Sequence, residues 1–343
     1  MKVLKVKPYN DLWFDCINNN IIGILAAYEP SFTRLPTFYN GTYSINVKAE
    51  DVQADTNDLS PHIDVLFEWP DLTRIFEEKQ VEVSADHSIV EVVRRFIDDN
   101  YYVFMYIDRY YFPDTPNYNK ESFIHPTLIY GYTNNNFKLL EDCVKVGNMD
   151  YYEIENSMFT QAFLSSLRKA GTTIVHCIRL KEEWPTWDMN ISRDLAITLL
   201  QNVLHTQEMS ESSGTTIQGI GALAKYAELF ERESKHIAVH PDKFMWFYQQ
   251  LRRGIVLQKR NILILQNLHE QGILNADSYH ILSKMYQEHQ DCWTFVTNKI
   301  GFIMYKNIEK KSNGKLQELK ELVLDLYKRE HKLLTVFINH IHG

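Results

Sequence analysis

The sequence predicts an α+β domain over residues 1–185, followed by an all-α helical domain over residues 190–343. The first part mixes short runs rich in valine, isoleucine, tyrosine and phenylalanine with turns that contain proline, asparagine and aspartate. From about residue 190 onward, charged and apolar residues alternate at helical spacing. A chain of 343 residues also divides more naturally into two domains than one.

Strands and helices alternate irregularly in the first predicted domain. The strand segments are residues 62–69, 101–112, 125–133, 137–147 and 172–180. The helical segments are residues 16–28, 86–100 and 157–171, and the last of them ends in Lys-Ala-Gly, which is typical of a helix C-terminus. This mixture indicates a sheet with helices packed on it.

The second predicted domain begins with a helix for which Ser192 is the expected N-cap. Residues 209–216, "MSESSGTT", are expected to form a polar loop. Four more helices are expected at residues 217–235, 241–271, 276–307 and 315–341. Pro241 suits a first helical turn, and Asn313-Gly314 marks the break between the last two helices.

Composition narrows the range of functions. The formal net charge of -8 argues against nucleic acid as the main partner, because phosphate binding needs a basic surface. The N-terminal residues lack the apolar run of a signal peptide, and no segment has the length of a membrane span, so we expect a cytoplasmic protein without membrane contact. The four scattered cysteines make no CxxC pattern, and no nucleotide or flavin motif is visible, so neither zinc nor a bound cofactor is expected.

Cys16 lies at the expected start of the first helix, where unpaired N–H groups and the helix dipole favour a thiolate. A thiolate is the nucleophilic form of cysteine, and it needs a basic partner at neutral pH. Asn10 lies six residues upstream, where its amide can help the Cys16 N–H to hold an oxyanion. The alternative for Cys16 is a small buried hydrophobic residue, as most cysteines are.

His125 and Asp142 are predicted to lie on neighbouring strands joined by the tight turn "TNNN". In such a hairpin the two side chains lie roughly 5–8 Å apart, so that Asp142 can orient the His125 imidazole. With Cys16, they predict a Cys–His–Asp triad whose members are separated in sequence. Taken singly, a strand-end histidine bonded to backbone and a solvated edge aspartate are the alternatives.

Three segments together resemble the N-terminal domain of the butirosin biosynthesis protein H family. They are "DCINNNIIGILAAY", "YIDRYYFPDTPNYNKESFIHPTLIYGYTNNNFKLLED" and "YYEIENSMFTQAFLSS", and they cover about the first half of the chain. The middle segment is the more specific one. It has a strand rich in aspartate and tyrosine, a proline loop, a histidine, a strand ending in Gly-Tyr and an aspartate, in that order.

The resemblance implies a papain-like fold and a cysteine-dependent acyltransferase of natural-product biosynthesis. It implies Cys16 as nucleophile, His125 as base and Asp142 as orienting acid. The oxyanion residue of papain-like enzymes is normally glutamine, whereas the spacing here gives the shorter Asn10, with Asn18 and Asn20 as substitutes.

The partners implied by the resemblance are a carrier protein, which presents the acyl group on phosphopantetheine, and a small-molecule amine. Tyr106, Asp108 and Tyr111 lie on the predicted strand before the proline loop, where alternating residues can face the cleft, and Asp108 can pair with a cationic amine. The alternative is that Asp108 is satisfied by Arg109, Lys120 or the loop backbone.

A basic helical segment in the second predicted domain offers a docking face for an acidic carrier. Its cationic residues are Arg252, Arg253, Lys259 and Arg260, for which a solvated helix face is the alternative. Two other functions stay open: a thioesterase, amidase or peptidase, and a non-catalytic papain-like scaffold that binds partners or forms a homodimer.

Overall fold

The structure is a computed structural model that describes residues 1–48, 63–84, 87–170, 173–183, 187–212, 214–310 and 315–342. Its chain divides into two compact units, residues 1–35 with 71–189 and residues 36–70 with 190–343. The predicted α+β composition with C-terminal helices is confirmed. The units are not contiguous as predicted, because residues 36–70 belong to the second unit.

Strands and helices are numbered along the chain. The strands are β1 Lys2–Val3, β2 Asn40–Lys48, β3 Ile63–Glu68, β4 Phe76–Val83, β5 Tyr102–Asp108, β6 Ile124–Tyr132, β7 Asn136–Glu141, β8 Asp150–Glu155, β9 Thr173–Leu180, β10 Gln207–Glu211 and β11 Gly214–Gln218. The α-helices are α1 Cys16–Tyr28, α2 Ile89–Asp98, α3 Asn156–Ala170, α4 Arg193–Leu204, α5 Gly221–Val239, α6 Phe244–Glu270, α7 Ala276–Lys310 and α8 Leu316–His342.

The first unit is organised around an antiparallel sheet with the order β4-β9-β5-β6-β7-β8, and β1 pairs with β6. Tyr102 to Met105 on the central strand β5 are all buried, as expected for a strand covered on both faces. Helices α2 and α3 pack on β5, and α1 packs on β6. The predicted hairpin is confirmed, because β6 pairs with β7 in a register that opposes Leu128 to Leu140.

The second unit contains a four-stranded antiparallel sheet, β10-β11-β2-β3, in addition to helices α4 to α8. The prediction of an all-α second domain is therefore wrong, and so is the polar loop at residues 209–216. β10 is exposed at every residue, so it shows no apolar alternation that would identify it as a strand. β11 is held by pairing with β2, which is far away in sequence.

The helices of the second unit follow the predicted segments closely, and the Ser192 hydroxyl accepts from the N–H of Leu195 as the predicted N-cap. Their core is a large apolar cluster that includes Leu257, Ile264, Trp293 and Phe337. The predicted break at Asn313-Gly314 lies outside the described residues. None of the described helices combines the length and the apolar character that a membrane span requires.

Candidate active site

Helix α1 begins at Cys16, and Asp15 is its N-cap. The Asp15 carboxylate accepts from the backbone N–H of Asn18 at 2.8 Å and also from the Asn18 side-chain amide. An aspartate in this position satisfies one of the unpaired N–H groups of the first turn. The local sequence therefore fixes Cys16 in the first turn, where its side chain is 8% exposed.

Asn19 holds the segment that leads into α1. Its amide nitrogen donates to the carbonyls of Tyr9 and Leu12, and its oxygen accepts from the N–H of Phe14. A buried asparagine with three backbone partners is a structural anchor for an irregular segment. Asn18 and Asn19 in the run after Cys16 thus serve to hold the start of α1 and the segment before it.

His125 is the second residue of β6, where it pairs with Ile107 of β5. Its Nε2 lies 2.8 Å from the Sγ of Cys16, which is a hydrogen-bonding distance. The imidazole is 12% exposed and packs beside the Phe123 ring, with 5.5 Å between ring centroids. The predicted proximity of Cys16 and His125 is therefore present in the structure.

A buried arginine lies on the other side of the imidazole. Arg109 Nη2 is 2.7 Å from His125 Nδ1, and the same nitrogen donates to the carboxylates of Glu141 and Asp142. Nη2 carries two hydrogens, which the two carboxylates and Nδ1 share. A guanidinium has donors only, so an Arg109–Nδ1 hydrogen bond requires Nδ1 to accept, and the proton of a neutral ring then lies on Nε2, facing sulfur. Arg109 thereby sets the resting tautomer of His125.

Asp142 reaches His125 through Arg109 in this structure. Its Oδ1 accepts from Arg109 Nη2, and its Oδ2 accepts from the backbone N–H of Gly147 at 2.9 Å. The predicted proximity of Asp142 to His125 is present, but the Arg109 guanidinium bonds both residues, so Asp142 orients the imidazole through Arg109. The hairpin does bring the two residues close, and their polar atoms lie within 4.8 Å of one another.

Glu141 is a site residue that the sequence analysis missed. Its Oε2 lies 3.7 Å from His125 Nδ1, and its Oε1 accepts from the hydroxyl of Thr127. Extension of the β6–β7 register pairs Glu141 with Thr127, which shares its sheet face with His125. Side chains alternate between the two faces of a strand, so Glu141 and not Asp142 lies on the face of His125. That alternation was the sequence signal that could have identified Glu141 as the acid nearer the imidazole.

The electrostatics of the site oppose a resting thiolate. Burial raises the pKa of the Cys16 thiol, and the negative charges of Asp142 and Glu141 raise it further, while Arg109 lowers it. Together these causes hold the pKa of the thiol well above its ordinary value, which favours the protonated sulfur over the predicted thiolate. A protonated Cys16 needs a base at the moment of reaction.

Asn10 is not placed to hold an oxyanion. Its amide nitrogen donates to the carbonyl of Met149 at 3.0 Å, and its oxygen accepts from the N–H of Met149 at 2.7 Å. The Asn18 amide is engaged by Asp15, and Asn20 is buried with its oxygen unpaired. The backbone N–H of Cys16, at the first turn of α1, is the donor that the fold offers.

Asp108 is a structural residue, in agreement with the loop-backbone alternative. It is 1% exposed and accepts from the N–H groups of Tyr110 and Phe123 and from the hydroxyls of Ser122 and Ser165. Desolvation raises the pKa of Asp108, but these hydrogen bonds together lower it by a larger amount. The net pKa therefore lies below the ordinary value. Burial and four protein donors leave the Asp108 carboxylate little access to a substrate amine, which favours the structural alternative over the predicted role in amine binding.

The two predicted substrate-binding tyrosines lie in different surroundings. Tyr111 is half-buried at the end of the turn after β5, with its ring 5.0 Å from that of Tyr110. Tyr106 is 45% exposed and lines a cavity of ≈ 330 Å³ in the first unit. Ile17 and Pro126, the residues that follow Cys16 and His125, line the same cavity.

The basic segment on α6 does not form one exposed face. Arg260 is fully buried and donates to the carbonyl of Tyr39, and Arg253 pairs with Asp64 at 2.9 Å. Arg252 and Lys259 are the exposed members. The predicted carrier-docking face therefore loses half of its cations to the fold of the second unit.

A metal ion is a poor fit to the site. In the part of the chain that the structure describes, Cys16, His125 and Asp142 each offer a ligand atom within 4.8 Å of the others. A cation there would meet the Arg109 guanidinium, which already bonds His125 Nδ1 and Asp142. Like charges at this distance repel strongly in a buried site, so the arrangement fits proton transfer better.

No protein-family model matches the chain, and no curated protein matches it.

Proposed function

We propose that the protein is a papain-like cysteine acyltransferase that moves an acyl group from a carrier-protein thioester to an amine. The contact of 2.8 Å between Cys16 Sγ and His125 Nε2 is the observation that supports it most directly. Nucleophile and base lie within hydrogen-bonding reach at the start of a helix, which is the arrangement that covalent acyl transfer needs. The resemblance to the butirosin family adds the papain-like fold and the substrate class.

In the first step Cys16 Sγ forms a bond to the thioester carbonyl carbon, and its proton passes to His125 Nε2. The oxyanion accepts from the backbone N–H of Cys16. The carbon–sulfur bond to pantetheine then breaks, and His125 returns the proton to the departing sulfur. One thioester replaces another, so the step is nearly neutral in bond energy and depends on positioning.

His125 can accept the thiol proton only when its own ring proton lies on Nδ1. That proton needs an acceptor, and Glu141 Oε2 is the nearest carboxylate oxygen, now 3.7 Å away. Arg109 must therefore turn away from Nδ1 as the substrate binds, while it keeps its ion pairs with Glu141 and Asp142. Glu141 then stabilises the imidazolium that forms.

In the second step an amine attacks the acyl-cysteine, loses a proton to His125, and leaves with the acyl group on nitrogen. Cys16 recovers its proton from His125. If water attacks in place of the amine, the product is a free acid and the protein is a thioesterase. Exclusion of water from the site decides between the two products.

A non-catalytic scaffold is the second candidate. The guanidinium bonded to His125 Nδ1 and the raised pKa of the Cys16 thiol favour it, because both hold the pair in an unreactive protonation state. It differs from the enzyme in one respect that can be measured, namely transfer of an acyl group to Cys16.

The test is incubation with acetyl and octanoyl thioesters of N-acetylcysteamine, with and without primary amines, followed by mass spectrometry of protein and products. An acyltransferase gives an acyl adduct on Cys16 and an amide when an amine is present. A thioesterase gives free acid in both cases. Loss of the adduct and of both products in Cys16→Ser, with no loss in Cys292→Ser, assigns the chemistry to Cys16. Absence of an adduct, of amide and of free acid above the uncatalysed rate rejects the enzyme.

A further inference from the structure

The cavity of the first unit lies between helix α1 and one face of the sheet. Ile17 and Ile21, one turn apart on α1, form its helical wall. The sheet wall is made of side chains that share one face in the observed register. They are Glu78 and Gln80 of β4, His176 and Ile178 of β9, Phe104 and Tyr106 of β5, and Pro126 of β6. Neither Cys16 nor His125 lines the cavity.

The two ends of the cavity differ in polarity. Phe104, Tyr106 and Pro126 give one end an aromatic and apolar surface. The other end reaches the edge strand β4, where Glu78 and Gln80 are exposed. Neighbouring strands are roughly 4.8 Å apart, so β4 lies roughly 10 Å from β5, with β9 between them. The cavity therefore fits a ligand with an apolar body and a polar group at one end.

Four polar side chains on the cavity face have no hydrogen-bond or ion-pair partner within the described part of the chain. They are Glu78, Gln80, Tyr106 and His176. They offer a carboxylate, an amide, a phenol and an imidazole to a ligand. The buried Asp108 carboxylate, by contrast, accepts from four protein groups. The cavity thus has polar groups that the fold itself does not use.

The charge on this face of the sheet is negative. Glu78 faces the cavity, and Glu82 follows it on the same face of β4. Lys79 alternates to the opposite face, where its Nζ lies 3.6 Å from the Glu77 carboxylate and 4.7 Å from the Tyr101 ring centroid. Within the described strands β4, β5, β6 and β9, no lysine or arginine shares the cavity face. A site with charge of one sign favours a ligand of the opposite sign.

We propose that this cavity binds a small organic cation with a single apolar ring, such as an arylalkylamine. The ammonium group pairs with the Glu78 carboxylate and donates to the Gln80 amide oxygen. The ring lies against Phe104 and Tyr106, whose faces attract both apolar groups and cations. The volume of ≈ 330 Å³ is at the small end of the range for ligand sites, about 300–1,000 Å³, which limits the ligand to one ring with a short arm.

The inference goes beyond the proposed function and does not rest on it. It assigns binding and no chemistry, and the residues that carry it exclude the Cys16–His125 pair. Its test is therefore a binding measurement, whose result does not depend on whether Cys16 is acylated.

Three probes of one shape separate charge from apolar contact. They are 4-phenylbutylamine, 4-phenylbutan-1-ol and 4-phenylbutyrate, titrated into the parent at pH 8 and followed by ligand-observed NMR. The expected result is saturable binding of the amine, about threefold to thirtyfold tighter than that of the alcohol, with the carboxylate weakest. Equal affinities overturn the proposal, and so does the absence of saturable amine binding in the millimolar range.

Charge variants locate the ammonium group. Glu78→Gln should weaken binding of the amine by about twofold to fivefold and leave that of the alcohol unchanged. Glu82→Gln is the matched control, because Glu82 is exposed on the same face of β4 but does not line the cavity. It should leave both affinities unchanged. Equal loss of amine affinity in the two variants overturns the assignment of Glu78.

A filled cavity locates the ring. Ile21→Trp places an indole in the helical wall and should abolish binding of the amine. Ile174→Trp is the control, since Ile174 is 47% exposed on β9 and does not line the cavity, and it should keep the parent affinity. Cys16→Ser should keep it too. Unchanged affinity in Ile21→Trp, or loss of affinity in Cys16→Ser, overturns the proposal, because the ligand then lies elsewhere.

Discussion

At the scale of single residues, the site is organised around a buried arginine. Arg109 is 2% exposed, and one of its nitrogens contacts the imidazole and two carboxylates at once. Without it, two buried negative charges would face each other and the thiol. Arg109 therefore makes the acidic pair compatible with burial and fixes the His125 ring.

We predict that Arg109→Lys lowers the rate of Cys16 acylation by about tenfold to hundredfold, because it removes at least one of the charge-assisted hydrogen bonds that hold Glu141 and Asp142 beside His125, each worth about 1.5–3 kcal/mol. A lysine keeps the charge, but its single ammonium cannot replace the planar fork. The measurement is the adduct rate by mass spectrometry. Arg179→Lys is the matched control, because Arg179 pairs with Glu77 in a partly exposed position and should leave the rate unchanged. Equal rates in both variants would remove Arg109 from the mechanism.

Reasoning from single residues predicted the Cys16–His125 pair, but it did not predict Arg109 and Glu141 beside the imidazole. The helix start at Cys16 and the hairpin that joins His125 to the acidic end of β7 follow from local patterns. Arg109 lies in a turn after β5, and the sequence offered it only as one of several possible partners of its neighbour Asp108. Its actual partners are 32 and 33 residues away. Such pairing depends on tertiary structure, which no short-range pattern encodes.

At the scale of elements, the start of α1 combines two effects of one residue. Asp15 caps the helix through the N–H of Asn18, which stabilises the turn that carries Cys16. Its negative charge also raises the pKa of the Cys16 thiol, as the smallest of several causes. The Asp15 cap therefore stabilises the position of Cys16, while the Asp15 charge disfavours its reactive thiolate form.

We predict that Asp15→Asn and Asp15→Ala separate these effects. Asparagine keeps the cap, removes the charge and lowers the pKa of Cys16, so alkylation by iodoacetamide at fixed pH becomes faster at nearly unchanged stability. Alanine also removes the charge, and it costs about 1 kcal/mol of unfolding free energy in urea. Ser192→Ala, the cap of α4, should show the stability loss alone. Slower alkylation in Asp15→Asn would contradict the charge effect.

Elements were predictable where they carry their own periodicity. The segment predicted for α1, residues 16–28, has the bounds of the helix, and the long helices α6 to α8 also lie where the pattern places them. Six of the described strands were not predicted: β1 has only two residues, β2 was overlooked although Tyr43, Ile45 and Val47 alternate with polar residues, and β4, β8, β10 and β11 are largely polar. The polar strands are held by backbone hydrogen bonds to neighbouring strands. Their own sequences lack the apolar alternation that predicts a strand.

At the scale of the whole molecule, the chain leaves the first unit after residue 35 and returns at residue 71. The β2–β3 hairpin between these points joins the second unit, where β2 pairs with β11. That pairing joins segments about half the chain length apart. The composition of the sequence gives no sign of a domain boundary at residues 35 and 71. A contiguous boundary near residue 185 was therefore the natural but incorrect prediction.

The second unit also contains a buried acid that makes stability depend on pH. Glu233 on α5 is 1% exposed, and burial raises its pKa to about 8, although a hydrogen bond from Tyr226 opposes the shift. Between the ordinary value of 4.5 and about 8, the unfolded chain releases this proton while the folded chain keeps it. Rising pH therefore favours the unfolded state in this window.

We predict that the unfolding free energy of the parent falls by up to about 1.4 kcal/mol per pH unit across this window, relative to Glu233→Gln. The measurement is urea unfolding at pH 5 and pH 8, with fluorescence of the tryptophans. Glu231→Gln is the control, because Glu231 is exposed on the same helix and pairs with Lys235. If Glu233→Gln and the parent lose equal stability between the two pH values, the carboxyl does not titrate as described.

The most direct test of the account is the rate at which a thioester acylates each cysteine at pH 7, in the parent and in His125→Ala. We predict an adduct on Cys16 in the parent and a rate lower by about 10²–10⁴ in the variant, because the protonated thiol needs its base. Cys143, Cys177 and Cys292 serve as references in the same sample. Acylation of Cys16 no faster than that of Cys292, or equal rates with and without His125, would contradict the assignment of Cys16 and His125 as nucleophile and base.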